Sequence, residues 1–167
     1  MSFDTAVAFT LGIEGGLADM AGDRGGLTKY GISHAQYPDL DIANLTLDAA
    51  KAIYLVDYWV KAGCPEQPDK LATCTFDAVV NHGVAAGVKL LQRAASAVPI
   101  DGQWGPNTKL AVDHAVALYG EDSVVEDLLT RREILYERIV QFDPTQARFL
   151  SGWKARLTKL KAEVCVA

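Results

Sequence analysis

The sequence predicts a mainly α-helical protein with one small β-hairpin element near residues 15–33. Apolar residues recur three and four positions apart along most of the chain, which is the spacing of one face of a helix. The segment 15–33 is rich in glycine and lacks this periodicity. We therefore expect several helices joined by turns and a single element of two or three short strands.

Most predicted helices have a recognisable beginning or end. Gly15 and Gly16 end the first helix, and Thr46 is a residue type that caps helix N-termini. Later helices begin near a proline or end near a glycine. The predicted helices are 3–14, 47–59, Pro68 to Asn81 or His82, 84–97, Pro106 to Tyr119, 122–141 and Pro144 to about Ala162. Residues 99–106 are predicted to form a turn-rich connector.

Composition and charge exclude several classes of protein. The chain has 167 residues, half of them apolar, and a net charge of −5, so it can bury a core and has no electrostatic footprint for nucleic acid. Cys64, Cys74 and Cys165 indicate unpaired thiols in a reducing compartment, with a Cys64–Cys74 disulfide as the alternative. The histidines are not spaced with the cysteines as metal ligands would be, so no metal is expected. No organic cofactor is expected either.

The N-terminus lacks the features of a secretory signal peptide. No basic region precedes an apolar core, and Asp4 and Glu14 interrupt the first apolar run. No segment reaches the roughly 20 apolar residues of a membrane span. We expect synthesis in the cytoplasm without membrane insertion, and a substrate outside the cytoplasm would require another route of release.

Two carboxylates near the N-terminus are the strongest candidates for a catalytic pair. Glu14 ends an apolar helical run, and Asp23 and Thr28 lie on the glycine-rich segment that follows. Hydrolysis of a glycosidic bond needs a protonated acid and a second group that stabilises the sugar cation or positions water. Burial of the Glu14 stem and the negative end of the helix dipole would both favour the protonated acid.

The simpler interpretation of these residues is structural. A glutamate in a last helical turn is usually a solvated surface residue, and the residues around Asp23 have the composition of an ordinary turn. Asp19 is close enough in sequence to compete with Asp23 for the role of second carboxylate.

Five short blocks follow one another along nearly the whole chain. They are Glu14-Gly-Gly with Asp23-Arg-Gly-Gly-Leu-Thr28-Lys-Tyr-Gly31-Ile-Ser33, Asp57-Tyr58-Trp59, Phe76-Asp77-Ala-Val-Val-Asn81-His-Gly83, Asp101-Gly-Gln-Trp-Gly105-Pro-Asn-Thr108 and Phe149-Leu-Ser-Gly152-Trp153. Together they resemble glycoside hydrolase family 108, whose members are N-acetylmuramidases found as phage endolysins and as bacterial proteins linked to export.

The resemblance implies a lysozyme-like helical globule that cleaves the β-1,4 bond between N-acetylmuramic acid and N-acetylglucosamine in peptidoglycan. It assigns the catalytic acid to Glu14. From the chemistry of the residues, Asp23 is expected to stabilise positive charge or position water, with Thr28 assisting. The arrangement is also similar to phage lysozymes, although Thr28 is one residue closer to Asp23 here. A catalytic region over 1–95 and a helical, peptidoglycan-binding region over 96–167 are expected to pack as one globule.

Four side chains are further candidates for contact with the substrate. Tyr30 and Tyr58 could stack on sugar rings, although aromatic residues at helical spacing, such as Trp59, more often belong to the core. The resemblance favours Asn81 for binding N-acetyl or hydroxyl groups, with helix capping as the alternative. Asp19 is the fourth candidate.

The other polar and aromatic residues of note have structural explanations. His82 is expected to cap a helix or be solvated, and Trp104 to be a packing plug. The arginines of the helix at 122–141 are expected on its solvated face, although they could meet muropeptide carboxylates, as Tyr136 could meet the peptide stem. These arginines are Arg131, Arg132 and Arg138.

The sequence leaves the biological role open. A monomeric phage or prophage endolysin, acting in the periplasm or at the cell wall with the help of a holin or exporter, is the first expectation. The alternatives are a bacterial muramidase that remodels the wall for protein or toxin export, and a peptidoglycan-binding protein without activity.

Overall fold

The computed structural model of the protein describes residues 3–12 and 28–165, and these form a helical globule with one short hairpin. Seven α-helices and two strands are present in this part of the chain. The helices are α1 (Phe3–Leu11), α2 (Leu47–Tyr54), α3 (Asp69–His82), α4 (Val84–Ala94), α5 (Pro106–Tyr119), α6 (Glu121–Phe142) and α7 (Ala147–Cys165), and the strands are β1 (Thr28–Lys29) and β2 (Ile32–Ser33). The predicted mainly α fold with a small β element is confirmed.

Helix α1 is shorter than the sequence predicts. It ends at Leu11, because Gly12 takes the left-handed conformation with φ +63° and returns its N–H to the carbonyl of Phe9. Glycine adopts this conformation without the steric cost that other residues bear. The described helix therefore ends three residues before the predicted end at residue 14, and Glu14 itself lies outside the described residues.

The hairpin is closed by a two-residue turn at Tyr30 and Gly31. Thr28 pairs with Ser33 and Lys29 with Ile32, and both turn residues have positive φ, as the tight turns of hairpins require. A Cβ atom on Gly31 would lie 2.6 Å from the hydroxyl of Tyr54. The turn is thus packed directly on α2, which explains why glycine occupies this position.

Helix α2 begins as predicted and then changes its geometry. The hydroxyl of Thr46 accepts a hydrogen bond from the N–H of Ala49, which confirms the predicted N-cap. From Leu55 to Val60 the helix continues as a π-helical segment, and a short 3₁₀ turn follows at Cys64–Glu66. Widened turns of this kind change which face of a helix its side chains occupy.

Helix α3 is the central element of the fold. Each residue from Leu71 to Val79 is buried, and the helix contacts α1, α4, α6 and α7. One core cluster, around Phe76 and Tyr54, joins α3 to the N-terminal elements, while the other, around Leu128, joins it to the C-terminal helices. Two faces of one helix therefore hold the two halves of the molecule together.

The connector after α4 is built around the buried side chain of Gln92. Its amide nitrogen donates to Asp101, Thr108 and the Gln103 carbonyl, and its amide oxygen accepts the N–H of Gly102. Helix α4 ends at Ala94, earlier than predicted, and Ser96 takes a positive φ of 54°. These contacts fix the turn-rich segment that the sequence predicts there.

Trp104 is a packing plug, as predicted. Its ring covers Gly63, where a Cβ atom would lie 2.0 Å from the indole, and its Nε1 donates to Glu66 at 3.0 Å. Cys64 and Cys74 are buried thiols that are not joined to each other, and burial raises the pKa of the Cys64 thiol. The expectation of thiols rather than a Cys64–Cys74 disulfide is confirmed.

Candidate active site

The predicted catalytic carboxylates Glu14 and Asp23, and the candidate Asp19, lie outside the described residues. The structure describes the chain on both sides of them, where α1 ends at Gly12 and β1 begins at Thr28. Thr28 and Tyr30 are partly exposed in the hairpin. The described part of the candidate site therefore consists of the end of α1, the hairpin and the elements packed against them.

Tyr54 joins the hairpin to the predicted aromatic residues of α2. Its hydroxyl donates to the backbone carbonyl of Tyr30 at 3.1 Å, and its ring lies 5.3 Å from that of Tyr58. Tyr58 is half-buried, whereas Trp59 is buried among Phe3 and Phe76. The structure thus brings Tyr30 and Tyr58 to the same neighbourhood, while Trp59 belongs to the core.

A second polar group lies on the π-helical segment. Asp57 accepts hydrogen bonds from Lys61 at 2.6 Å and from the hydroxyl of Tyr37 at 3.0 Å. The hydrogen bond from Lys61 outweighs partial burial and lowers the pKa of Asp57, and burial raises the pKa of Tyr37. At neutral pH Asp57 is therefore ionised and Tyr37 is neutral, so the cluster supplies no protonated acid. Its contacts fix the hairpin side of the fold.

Asn81 lies exposed at the end of α3. Its side-chain amide donates to the backbone carbonyl of Asp77, one helical turn earlier, at 2.7 Å. This contact lies within the helix, and it leaves the exposed amide at the surface. Through α3, Asn81 is connected both to Phe76, which packs on Tyr54, and to a buried ion cluster at Asp77.

The ion cluster consists of Asp77, Arg132, Arg156 and Thr10. The Asp77 carboxylate is fully buried, pairs with Nη2 of Arg132 at 2.9 Å and accepts hydrogen bonds from Nε and Nη2 of Arg156. Thr10 donates its hydroxyl to the same carboxylate at 3.1 Å. Burial alone would raise the pKa of Asp77, but the two guanidinium groups outweigh it and hold that pKa below its usual value.

The placement of Arg132 corrects the sequence prediction. It was expected on the solvated face of its helix, yet it is fully buried, and its Nε and Nη1 groups have no partner among the described residues. The same helix carries Arg131, half-exposed and paired with Asp127, and Arg138, which is exposed. Arg132 is buried because the carboxylate of Asp77 compensates its charge.

Tyr136 and His82 pack beside this cluster. Tyr136 is buried, accepts a hydrogen bond from Arg132 at 3.3 Å and stacks on Trp153, so its hydroxyl is not presented to a peptide stem. His82 is half-buried, and burial, followed by repulsion from Arg132, lowers its pKa from 6.5 to about 4. His82 is therefore neutral at physiological pH, and its buried Nε2 has no hydrogen-bond partner among the described residues.

Arg156 was not among the residues predicted from the sequence, and in the third block the predicted binding residue was Asn81 rather than Asp77. One sequence signal was available. Arg132 and Arg156 each lie on a helix row that is otherwise apolar, Arg132 between Leu128 and Tyr136 and Arg156 beside Leu160. An arginine at such a position needs a buried acid as partner, and Asp77 within a run of apolar residues is such an acid.

A groove runs between α1 and α7 beside the end of α1. Its volume is about 720 Å³. It is lined by Thr5, Ala8, Phe9 and Gly12 on the α1 side and by Gly152, Ala155, Arg156, Lys159 and Glu163 on α7. Since Gly12 is two residues before Glu14, this groove opens next to the point where the described chain enters the candidate catalytic segment.

Two features relevant to function, a metal-binding cluster and a membrane-spanning helix, are absent from the described residues. Among residues 3–12 and 28–165, no group of three histidine, cysteine, aspartate or glutamate side chains is arranged to hold a metal ion. None of the helices in this part of the chain combines the length and the apolar character needed to cross a membrane.

Comparison with known proteins supports the interpretation of the sequence. The family model described as Glycosyl hydrolase 108 matches residues 7–83, and the one described as Predicted Peptidoglycan domain matches residues 86–158. A solved structure of Brucella abortus SagA is similar, with a TM-score of 0.79 and 26% sequence identity, and the match covers 98% of this chain and 94% of that chain. No curated protein matches the chain.

The helical fold and the two matched regions define a glycoside hydrolase that acts on peptidoglycan. The boundary between the matched regions falls at the turn between α3 and α4, and Asp77 on one side of it binds Arg132 and Arg156 on the other. Residues 7–83 belong to glycoside hydrolase family 108, and a predicted peptidoglycan domain follows them over residues 86–158.

Proposed function

We propose that the protein is an N-acetylmuramidase, a lysozyme that cleaves the β-1,4 bond between N-acetylmuramic acid and N-acetylglucosamine. The observation that carries the proposal is the place of Glu14-Gly-Gly in the sequence, three residues after a helix end that the buried Asp77–Arg156–Thr10 contacts hold in place. An acid that must reach a glycosidic oxygen needs such a rigid base, because small displacements of a catalytic group reduce the rate strongly.

In this proposal Glu14 donates a proton to the leaving oxygen. Asp23 stabilises the positive charge on the sugar or positions water, and Thr28 assists it. Because α1 ends at Leu11, three residues before Glu14 in the sequence, the proposal does not invoke the helix dipole, whose effect falls off within the last turn. Contact with apolar side chains and with bound substrate is therefore the cause that we propose for a protonated Glu14.

The proposed substrate-binding surface extends from the hairpin toward the end of α3. Tyr30 and Tyr58 meet at Tyr54, so we assign them to stacking against sugar rings. Asn81 presents an exposed amide for N-acetyl or hydroxyl groups, and Asp19 is assigned to the same surface.

We further propose that the enzyme acts as a phage or prophage endolysin, made in the cytoplasm and released to the wall by a holin or exporter. Holin or spanin genes beside its own gene would support lysis. Genes for a secretion apparatus there would instead support the alternative role in protein or toxin export.

The test of the activity is the digestion of purified peptidoglycan followed by mass spectrometry. A hydrolytic muramidase releases muropeptides with reducing-end N-acetylmuramic acid, whereas anhydro ends indicate a lytic transglycosylase and reducing-end N-acetylglucosamine a glucosaminidase. Clearing of outer-membrane-stripped cells by wild type but not by Glu14→Gln supports the assigned acid. Equal clearing by both proteins rejects it, and clearing by neither favours a binding protein without activity.

A further inference from the structure

The groove between α1 and α7 has an open floor because a glycine lies on each side of it. A Cβ atom built on Gly12 or on Gly152 has no described heavy atom within 4 Å. Gly152 lies inside α7, where glycine weakens a helix by about 0.5–1 kcal/mol relative to alanine. No described residue packs closely enough at this position to require glycine. The absence of a side chain at Gly152 therefore leaves space in the groove.

Only some of the charged residues of the groove form ion pairs or hydrogen bonds with other described residues. Arg156 uses Nε and Nη2 in its contacts with Asp77 and Thr10. Lys159 and Glu163 are exposed, line the groove and lie one helical turn apart, yet neither forms an ion pair with a described residue. Opposite charges at this spacing on a helix commonly pair with each other. Here they present a cation and an anion separately to whatever occupies the groove.

We propose that this groove binds the peptide stem of peptidoglycan. The inference rests on the proposed function, because the groove is lined by Gly12, the last described residue before the candidate acid in the sequence. A stem is a short peptide attached to the sugar chain, and it carries carboxylates and, on its diamino acid, an ammonium group. Lys159 binds a stem carboxylate, Glu163 binds the ammonium group, and the cleared space at Gly152 admits the peptide backbone.

Charge and position together indicate which ligand fits the groove. The groove lies between α1 of the hydrolase region and the helix that ends the peptidoglycan domain, so a substrate that contacts both regions can reach it. A bare glycan of N-acetyl sugars offers no ammonium group to Glu163. A zwitterionic peptide branch matches both free charges.

The experiment compares two substrates and three variants. Initial rates of reducing-end release are measured on intact peptidoglycan and on glycan strands whose stems have been removed by an amidase. For wild type, we expect a rate per cleavable bond about tenfold higher on the stem-bearing substrate, the scale of one charge-assisted hydrogen bond. In Lys159→Ala, Glu163→Ala and Gly152→Phe, the ratio of the rates on the two substrates should fall toward one.

Lys161→Ala is the matched control, because Lys161 lies on the same helix and pairs with Glu126 away from the groove. It should behave as wild type on both substrates. Thermal unfolding of each variant identifies any loss that comes from misfolding, and Gly152→Ala replaces Gly152→Phe if the larger side chain unfolds the helix.

Two results would overturn the inference. One is the absence of any preference of wild type for stem-bearing substrate, and the other is an unchanged preference in all three groove variants. If wild type cleaves neither substrate, the proposed function fails instead. Calorimetric titration of wild type, Lys159→Ala and Lys161→Ala with a free stem peptide then decides the inference by itself, since binding that Lys159→Ala does not weaken rejects the groove.

Discussion

Arg156 donates a hydrogen bond from Nη2 to the backbone carbonyl of Thr10 at 2.9 Å, across 146 residues of sequence. The same guanidinium binds the carboxylate of Asp77, to which Thr10 donates its hydroxyl. One residue of the last helix therefore fixes the end of the first helix against the central one. Because that end leads to Glu14, we infer that the position of the candidate acid depends on the C-terminal region of the chain.

Removal of the buried carboxylate should destabilise the whole fold. In Asp77→Asn, two guanidinium groups lose their shared counter-charge, and Arg132 is fully buried with two nitrogens already without a described partner. Breaking a buried ion pair from one side costs about 3–5 kcal/mol. We expect a reduction of that size in the free energy of unfolding, measured by urea denaturation.

Asp113→Asn provides the control for this measurement. Asp113 pairs with Lys109 at 2.7 Å on the exposed side of α5, where water screens both charges. Its substitution should leave the urea midpoint nearly unchanged. If Asp77→Asn and Asp113→Asn gave midpoints that agree with each other, the buried cluster would not be a main determinant of stability.

The pH dependence of stability should show the neutral state of His82. Its pKa is about 4 in the folded protein against 6.5 ordinarily, so the unfolded chain binds a proton first as pH falls. Stability is then lost progressively between about pH 6.5 and pH 4, by at most about 3 kcal/mol. Asp77 has a lowered folded pKa, so its contribution persists through this window and is lost below its unfolded pKa of about 4.

The measurement is urea denaturation between pH 7 and pH 4.5 for wild type, His82→Gln and His114→Gln. His82→Gln should flatten the decline, because it removes the group whose protonation favours the unfolded state. His114 is exposed on α5, and its replacement should leave the decline intact. Parallel curves for wild type and His82→Gln would show that another group causes the decline.

The sequence predicts the helices well because their signals are local. Thr46 caps α2, and α5 begins and ends as its proline and glycine predict. The errors at the ends of α1 and α4 arise from single residues, Gly12 and Ser96, whose positive φ depends on their surroundings. Short-range patterns determine that a helix forms, and tertiary contacts then determine where it ends.

The candidate site was less predictable for a different physical reason. The pairing of Asp77 with Arg132 and Arg156 joins positions far apart in sequence, and no spacing rule connects them. An arginine on a helix is normally solvated, so Arg132 was assigned to the surface. The roles of Glu14 and Asp23 depend on residues outside the described part of the chain, so they stay predictions.

Gly63 and Gly152 should respond oppositely to the same substitution. Gly63→Ala puts a Cβ atom 2.0 Å from the Trp104 ring at a φ of +69°, so overpacking and backbone strain add. We expect a loss of about 2–4 kcal/mol in the free energy of unfolding. Gly152→Ala meets no described atom inside a helix and should stabilise by about 0.5–1 kcal/mol. Thermal or urea unfolding checks both signs, and a destabilised Gly152→Ala would mean that the space beside it is filled.

The link from the ion cluster to catalysis predicts a kinetic effect of Thr10→Val. This substitution keeps the shape of the side chain and removes the hydroxyl that donates to Asp77, so we expect a stability loss of about 1 kcal/mol. If Thr10 positions the segment that carries Glu14, kcat on peptidoglycan should fall about tenfold with KM unchanged, because a displaced acid affects the transition state more than binding.

Thr158→Val is the control for this measurement. It removes a hydroxyl that donates to the Lys154 carbonyl on the exposed side of α7, and it should leave kcat at the wild-type value. Rates are compared at a temperature where all three proteins are fully folded. A kcat of Thr10→Val equal to that of Thr158→Val would show that the cluster stabilises the fold without positioning the acid.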